Sequence, residues 1–190
     1  MKISGVLLAG GESHRMGKDK AILSFRGKLL WQIQLDFLRK LDLEEILISA
    51  RTDPPWRPEE VRFVADDPPS RGPLSGLAVS MAQMRGTHLL ALAIDMPFMN
   101  EEYLRSLCGQ IEPGRGVLPM IGDRAEPLAA IYPAEAHADV VTALSGIEFS
   151  LQTLTKELVE VGKLRLLNVA KKEQTLFWNL NEPADLDLSQ

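Results

Sequence analysis

Short runs dominated by apolar side chains alternate along this chain with stretches whose apolar positions recur at helical spacing. Residues 3–9, 45–50 and 88–94 are such runs, the pattern of strands buried on both faces of a parallel sheet. Residues 30–41 instead place Leu30, Trp31, Ile33, Leu35, Phe37, Leu38 and Leu41 near a 3.6-residue period. Gln32, Gln34, Asp36, Arg39 and Lys40 fall between them, which predicts an amphipathic helix packed on the sheet. A short third strand is expected at 61–64, after a proline-rich connection at 53–58. Gly72-Pro73-Leu74-Ser75-Gly76 opens a helix expected to reach about residue 85, proline being favoured in a first turn. Asn100 caps the next helix, with Glu101 and Glu102 in its first turn, where acids suit the helix dipole.

The second half is less regular. Residues 116–120 and 127–132 read as strands around the polar turn Gly122-Asp123-Arg124. Helices are expected at 134–144 and 150–161, with an edge strand at 163–169. Gly27-Lys28 reads as a turn. The order strand, helix, strand, strand, helix, strand, helix implies an α/β chain: a three-layer α/β/α arrangement with a mostly parallel (mixed) central sheet. No repeat or boundary interrupts it, so residues 1–190 are read as one domain.

Composition changes this picture little. With 45% hydrophobic and 25% charged residues, the 190-residue chain buries a core without disulfide or metal staples. The single Cys108, in a helical setting, reads as structural. No apolar run approaches the roughly 20 residues of a membrane span, and no signal-peptide pattern precedes residue 3. A cytoplasmic protein without membrane attachment is therefore expected. A net charge of −5 argues against a nucleic-acid partner.

Locally the charge reverses. The first strand runs into Leu7-Leu8-Ala9-Gly10-Gly11-Glu12-Ser13-His14-Arg15-Met16-Gly17-Lys18-Asp19-Lys20, where Arg15, Lys18 and Lys20 outnumber Glu12 and Asp19. Glycines admit close backbone approach and the cations supply charge, as phosphate binding requires. Neither standard motif fits. Five residues separate Gly11 from Gly17, and Lys18 is followed by Asp19 rather than Ser or Thr, so the ATPase phosphate loop fails. Gly10-Gly11-Glu12 also lacks the dinucleotide Gly-x-Gly-x-x-Gly. The competing reading is a plain glycine turn between strand and helix.

Ligands of open α/β sheets bind at the carboxyl ends of the strands, and three features fall there: the glycine loop, Asp66 and Asp95. Asp95 directly follows a buried run and precedes Pro97 by two residues. It is a candidate Mg²⁺ ligand, a hard oxygen donor able to share the ion with phosphates, or else a helix or turn cap. Asp66 is a metal ligand, a nucleotide contact or part of an Asp-Pro turn, with Asp67 a neighbouring claimant. His14 lacks a partner carboxylate in sequence, His88 begins a strand and His137 sits mid-helix. No Cys/His cluster or Gly-x-Ser-x-Gly elbow is present. The residues alone point to a Mg²⁺-dependent enzyme acting on a nucleotide, by phosphoryl or nucleotidyl transfer.

Four segments carry a resemblance. Leu8-Ala9-Gly10-Gly11-x-x-x-Arg15-Met16-Gly17-x-x-Lys20, Gly72-Pro73-Leu74-Ser75-Gly76, Asp95-Met96-Pro97-Phe98 and Asn179-Leu180-Asn181-Glu182-Pro183 resemble, in order, motifs of the molybdenum cofactor guanylyltransferases (MobA-like nucleotidyltransferases). The resemblance implies a Rossmann-like nucleotidyltransferase fold whose N-terminal half binds nucleotide and whose C-terminal half binds the acceptor. It implies GTP and Mo-molybdopterin as substrates and Mg²⁺ as cofactor. Leu8, Ala9, Gly10 and Gly11 would present backbone to the nucleotide, and Arg15 and Lys20 would hold the triphosphate. Asp66 would contact the nucleotide, Gly72, Pro73, Leu74 and Gly76 would help enclose the base, and Asp95 would bind the metal. Ser49 stands where relatives often carry Asn. Arg124 and Asn181 are candidates for the acceptor site. Transient contacts with cofactor-biosynthesis or molybdoenzyme-maturation proteins would follow from handing over the product. The rival readings are a molybdopterin cytidylyltransferase, a sugar-phosphate nucleotidyltransferase and a non-catalytic nucleotide-binding module.

Overall fold

The apolar runs pair into one sheet. In a computed structural model describing residues 1–10, 19–66, 70–146 and 149–180, the strands are β1 (Ile3–Leu8), β2 (Ser24–Phe25), β3 (Lys28–Leu29), β4 (Glu45–Ala50), β5 (Arg62–Ala65), β6 (His88–Ala93), β7 (Gly116–Ile121), β8 (Arg124–Ala125), β9 (Ala129–Pro133) and β10 (Leu164–Asn168). The helices are α1 (Leu30–Arg39), α2 (Pro73–Gln83), α3 (Glu101–Cys108), α4 (His137–Ser145) and α5 (Leu151–Glu160). The main sheet runs β10–β7–β9–β6–β1–β4–β5, with β8 paired to β7, while β2 and β3 form a separate hairpin.

β1 lies parallel to β4 and β6, with Leu8 level with Ser49 on one side and Ala93 on the other. β5 continues the parallel set beside β4. Alternate side chains face opposite layers. Ile3 and Leu7 join a cluster with Leu35 and Leu38 of α1 and Leu104 and Leu107 of α3. Val6 and Leu8 join Leu74 and Leu77 of α2, Val140 of α4, and Leu154 and Leu158 of α5. The three-layer α/β/α expectation holds, and β10 is at an edge as expected.

β9 is antiparallel to both β6 and β7. Only a hairpin-length connection separates it from β7, and a parallel return would need a crossover of a dozen residues or more. Two local expectations are corrected. The helix expected from 134 resolves into a 3₁₀ turn (Ala134–Ala136) followed by α4, so His137 opens a helix rather than sitting within one. The turn expected at Gly27-Lys28 lies at Arg26-Gly27, both with positive φ (50° and 78°), the signature of a tight hairpin; Lys28 already belongs to β3. Asn100 caps α3 as expected, accepting from the Tyr103 amide, and Ser150 caps α5 in the same way through the Thr153 amide. Among the described residues, no helix is long and apolar enough to cross a membrane.

His88 is almost wholly buried, with Nε2 donating to the Glu112 carbonyl and Nδ1 facing the Thr87 hydroxyl, both at 3.0 Å. The carbonyl can only accept, which assigns the ring proton to Nε2. Burial lowers the His88 pKa, outweighing the opposing hydrogen bond to Glu112. The unfolded chain therefore takes a proton first as pH falls below the ordinary value of 6.5, and stability declines there. In urea melts between about pH 7 and 5, the wild type is expected to lose stability more steeply than His88→Leu; equal slopes would contradict this account. Cys108 is mostly buried, and burial pushes its thiol up to about 11, which leaves it an unreactive packing residue.

Candidate active site at the strand ends

Because β1, β4, β5 and β6 run parallel, their carboxyl ends open on one rim. The backbone continues the register past the strands: Ala9 N donates to Ser49 O (2.8 Å), Ile94 N to Leu8 O (3.2 Å) and Asp66 N to Ala50 O (3.0 Å). A single cleft there is lined by Leu8, Ala9, Gly10, Lys20, Ser49, Asp66, Gly72, Pro73, Gly76 and Asp95, ten of the residues singled out from the sequence. Leu74 is not among them; its side chain is fully buried beneath the cleft in the α2 core. Gly11, Arg15 and Asn181 lie outside the described residues, as do His14 and Asp67. Arg124 is described, but its side chain is exposed at the start of β8, 4.0 Å from Glu126, away from this cleft.

One end of the cleft is built around a buried carboxylate. Ser49 Oγ donates to Asp66 Oδ1 at 2.6 Å, and both residues are buried. The hydroxyl is thus committed to orienting Asp66. Two glycines make room for this pair. A Cβ on Gly10 would come within 2.6 Å of Asp66 Oδ2, and one on Gly76 within 2.8 Å of Ser49 Oγ and 2.9 Å of Leu8 Cδ2. Gly72 precedes α2 with φ at +68°, a conformation glycine adopts without steric cost. Pro73 then starts the helix, and its amino-terminal turn faces the cleft with the positive end of the dipole.

The other end carries charge. Asp95 and Lys20 pair at 2.8 Å, each side chain only about a fifth exposed (18% and 21%). Asp95 is not the cap of α3, since Asn100 performs that task. Its backbone is held from a distant part of the chain, because Leu180 N donates to Asp95 O (2.9 Å). Leu180 packs with Phe25 and Leu30, and Trp178 meets the Phe98 ring edge-to-face at 6.1 Å. The tail segment Asn179-Leu180 is thereby brought beside Asp95-Met96-Pro97-Phe98. Asn179 Oδ1 is buried there with no hydrogen-bond partner among the described residues.

An acceptor carboxylate, a helix amino terminus and a cation–carboxylate pair in one cleft equip it to hold a base or sugar at one end and phosphates at the other. The MobA-like NTP transferase domain matches residues 5–161. A probable molybdenum cofactor guanylyltransferase of Opitutus terrae is 36% identical over 97% of this chain and 93% of its own length.

The chain belongs to the MobA-like NTP transferase family.

The molybdenum cofactor guanylyltransferase of Syntrophotalea carbinolica is 31% identical over 97% of this chain and 89% of its own. Among solved structures, the molybdopterin-guanine dinucleotide biosynthesis protein A of Archaeoglobus fulgidus superposes with a TM-score of 0.75 over 98% of this chain and 96% of its own. At 23% identity it supports the fold. The chain is accordingly a nucleotidyltransferase, built as a MobA-like α/β sheet.

Four contributors to the cleft escape sequence reasoning: Asp19, Ala93, Ile94 and Leu128. Leu128 reaches its lining from the C-terminal half, anchored where Ala93 N donates to Leu128 O (2.9 Å). Nothing in a local apolar Pro-Leu pair signals this. Ile94 lines it simply by preceding Asp95. Asp19 also lines it, although in sequence it only spoils a phosphate-loop motif.

Proposed function

We propose that this nucleotidyltransferase moves GMP from GTP to the terminal phosphate of molybdenum cofactor, releasing pyrophosphate and forming molybdopterin guanine dinucleotide. The observation that carries the reading is the placement of the Asp66–Ser49 pair and the Asp95–Lys20 pair in one cleft, within a chain similar end to end to guanylyltransferases. The N-terminal half supplies the nucleotide site. Leu8, Ala9 and Gly10 line the approach and with Gly11 would present backbone to the nucleotide, Asp66 contacts it, and Gly72, Pro73 and Gly76 enclose the base. The acceptor binds from the C-terminal side, with Arg124 and Asn181 its candidate contacts.

The attacking phosphate of the acceptor is already ionised, so no general base is needed. The chain's work is orientation and charge neutralisation. Lys20 and Arg15 balance the triphosphate, and the α2 amino terminus adds a fixed partial charge. Among the described residues, no group of three or more His, Cys, Asp or Glu could hold a metal. One aimed carboxylate fits Mg²⁺, which keeps several waters and takes its remaining ligands from substrate phosphates. Asp95 would hold that ion, which would supply Lewis-acid stabilisation of the transferring phosphoryl group. Lys20 and Asp95 neutralise each other, so an incoming metal–triphosphate offers each of them a replacement partner of the right sign.

With molybdenum cofactor and Mg²⁺, the full chain is expected to release pyrophosphate from GTP and not at comparable rates from CTP or ATP. CTP turnover would favour the cytidylyltransferase reading, and nucleotide binding without turnover the non-catalytic one.

A further inference from the structure

Lys20 follows a glycine-rich loop, and its chemistry depends on where its backbone is held. The structure answers through Asp19. One carboxylate oxygen, Oδ1, accepts from the Ala21 amide at 2.9 Å and caps the 3₁₀ turn Lys20–Ile22. The other, Oδ2, accepts from the indole Nε1 of Trp56 at 3.0 Å. The same carboxylate that shapes the turn also ties it to a side chain 37 residues away.

Trp56 is in neither helix nor strand, yet its surroundings fix it. Within the irregular connection between β4 and β5, Arg57 grips Asp53 through Nε (2.6 Å) and Nη2 (2.7 Å). Its Nη1 also donates to the carbonyls of Val61 (2.7 Å) and Pro58 (3.2 Å). The Trp56 ring stacks on Trp31 of α1, with centroids 5.6 Å apart and planes 18° from parallel. On the other side of the turn, Ala21 is fully buried and Lys20 Nζ reaches Asp95 at 2.8 Å. An unbroken series of contacts therefore runs from the stapled connection, through the indole and Asp19, to the ammonium in the cleft.

We propose that Trp56 is a positioning residue of the transfer reaction, holding Lys20 in place through Asp19. The inference rests on the reading of Lys20 as the cation that balances the triphosphate. A half-buried aromatic could instead merely cover Trp31, and the indole N–H separates the two roles. Trp56→Phe keeps a ring to stack on Trp31 and deletes the donor. It is expected to melt within about 2 °C of wild type and to lose roughly tenfold in kcat/KM for GTP, the scale of a hydrogen bond to a charged group. Asp19→Asn tests the tie from its other end, because the Ala21 and Trp56 donors meet different carboxylate oxygens and one of those oxygens becomes an amide NH2, a donor facing a donor; the same loss is expected.

A double-mutant cycle with Lys20→Met provides a readout that cover alone would not move. Lys20→Met by itself should lose about a hundredfold, and adding Trp56→Phe should then cost less than about twofold. If Lys20→Met transfers GMP normally, the reading of Lys20 fails and the tether falls with it. If Lys20→Met is crippled but Trp56→Phe is neutral, or costs the same tenfold in both backgrounds, the positioning role alone is overturned. Should Trp56→Phe prove too unstable to assay, Asp19→Asn decides: unchanged kcat/KM in that variant rejects the tether.

Discussion

Asp95→Ala is expected to lower GMP transfer at least about a hundredfold, the loss typical of a preorganised electrostatic group, without unfolding the chain. The carboxylate follows β6 at the strand-end rim and pairs with Lys20 across the cleft. Its backbone is independently secured by Leu180, so the substitution removes charge without releasing the segment. Losing a partly exposed ion pair costs stability no more than about 1 kcal/mol. Pyrophosphate release measured over a range of Mg²⁺ concentrations, alongside a thermal melt, checks both halves of the expectation. Near-normal transfer at ordinary Mg²⁺ would rule out Asp95 as the metal ligand.

The largest stability effect is expected from the smallest change, Gly116→Ala. β7 begins at Gly116, beside the bridge between Val117 and Ile131 of β9. A Cβ on Gly116 would overlap the Ile131 carbonyl oxygen and lie 2.8 Å from its carbonyl carbon. Backbone in the middle of a sheet cannot step aside as a flexible side chain can. A cost of about 3 kcal/mol or more is expected, at the upper end for overpacking. In a chain of this size that lowers the melting temperature by roughly 10 °C. A melt within a degree or two of wild type would show that β7 and β9 can separate locally without loss.

The sheet is legible in the sequence where burial is two-sided. Residues 45–50 match β4 end to end, and the ends of β1 and β6 fall within one residue of expectation. Strand direction is not legible there. Ala129 to Pro133 is as uniformly buried as β1, and its antiparallel course follows from the brevity of its connection rather than from its side chains. The cleft was legible as a set of strand ends, since parallel packing brings Gly10, Ser49, Asp66 and Asp95 to one rim. What no local pattern carries is contact between distant irregular segments. Trp56 meets Asp19, and Leu180 meets Asp95, because α1, the β4–β5 connection and the tail converge on one side of the sheet. Arg124 stands exposed at the start of β8, open to the acceptor proposed for the C-terminal side.

The reversed strand has a consequence for how new specificities are reached. Because β9 runs against its neighbours, the cleft meets its beginning, and the excursion from Ile121 ends at Leu128 on the cleft lining, on the side proposed for the acceptor. That excursion is a surface hairpin, polar and exposed at Gly122-Asp123-Arg124, where insertions are tolerated. On the proposed function it is an interchangeable part: residues 122–124 can be lengthened or exchanged to offer a different acceptor a different surface, while the proposed nucleotide half, with its glycines and paired carboxylates, is carried over unaltered.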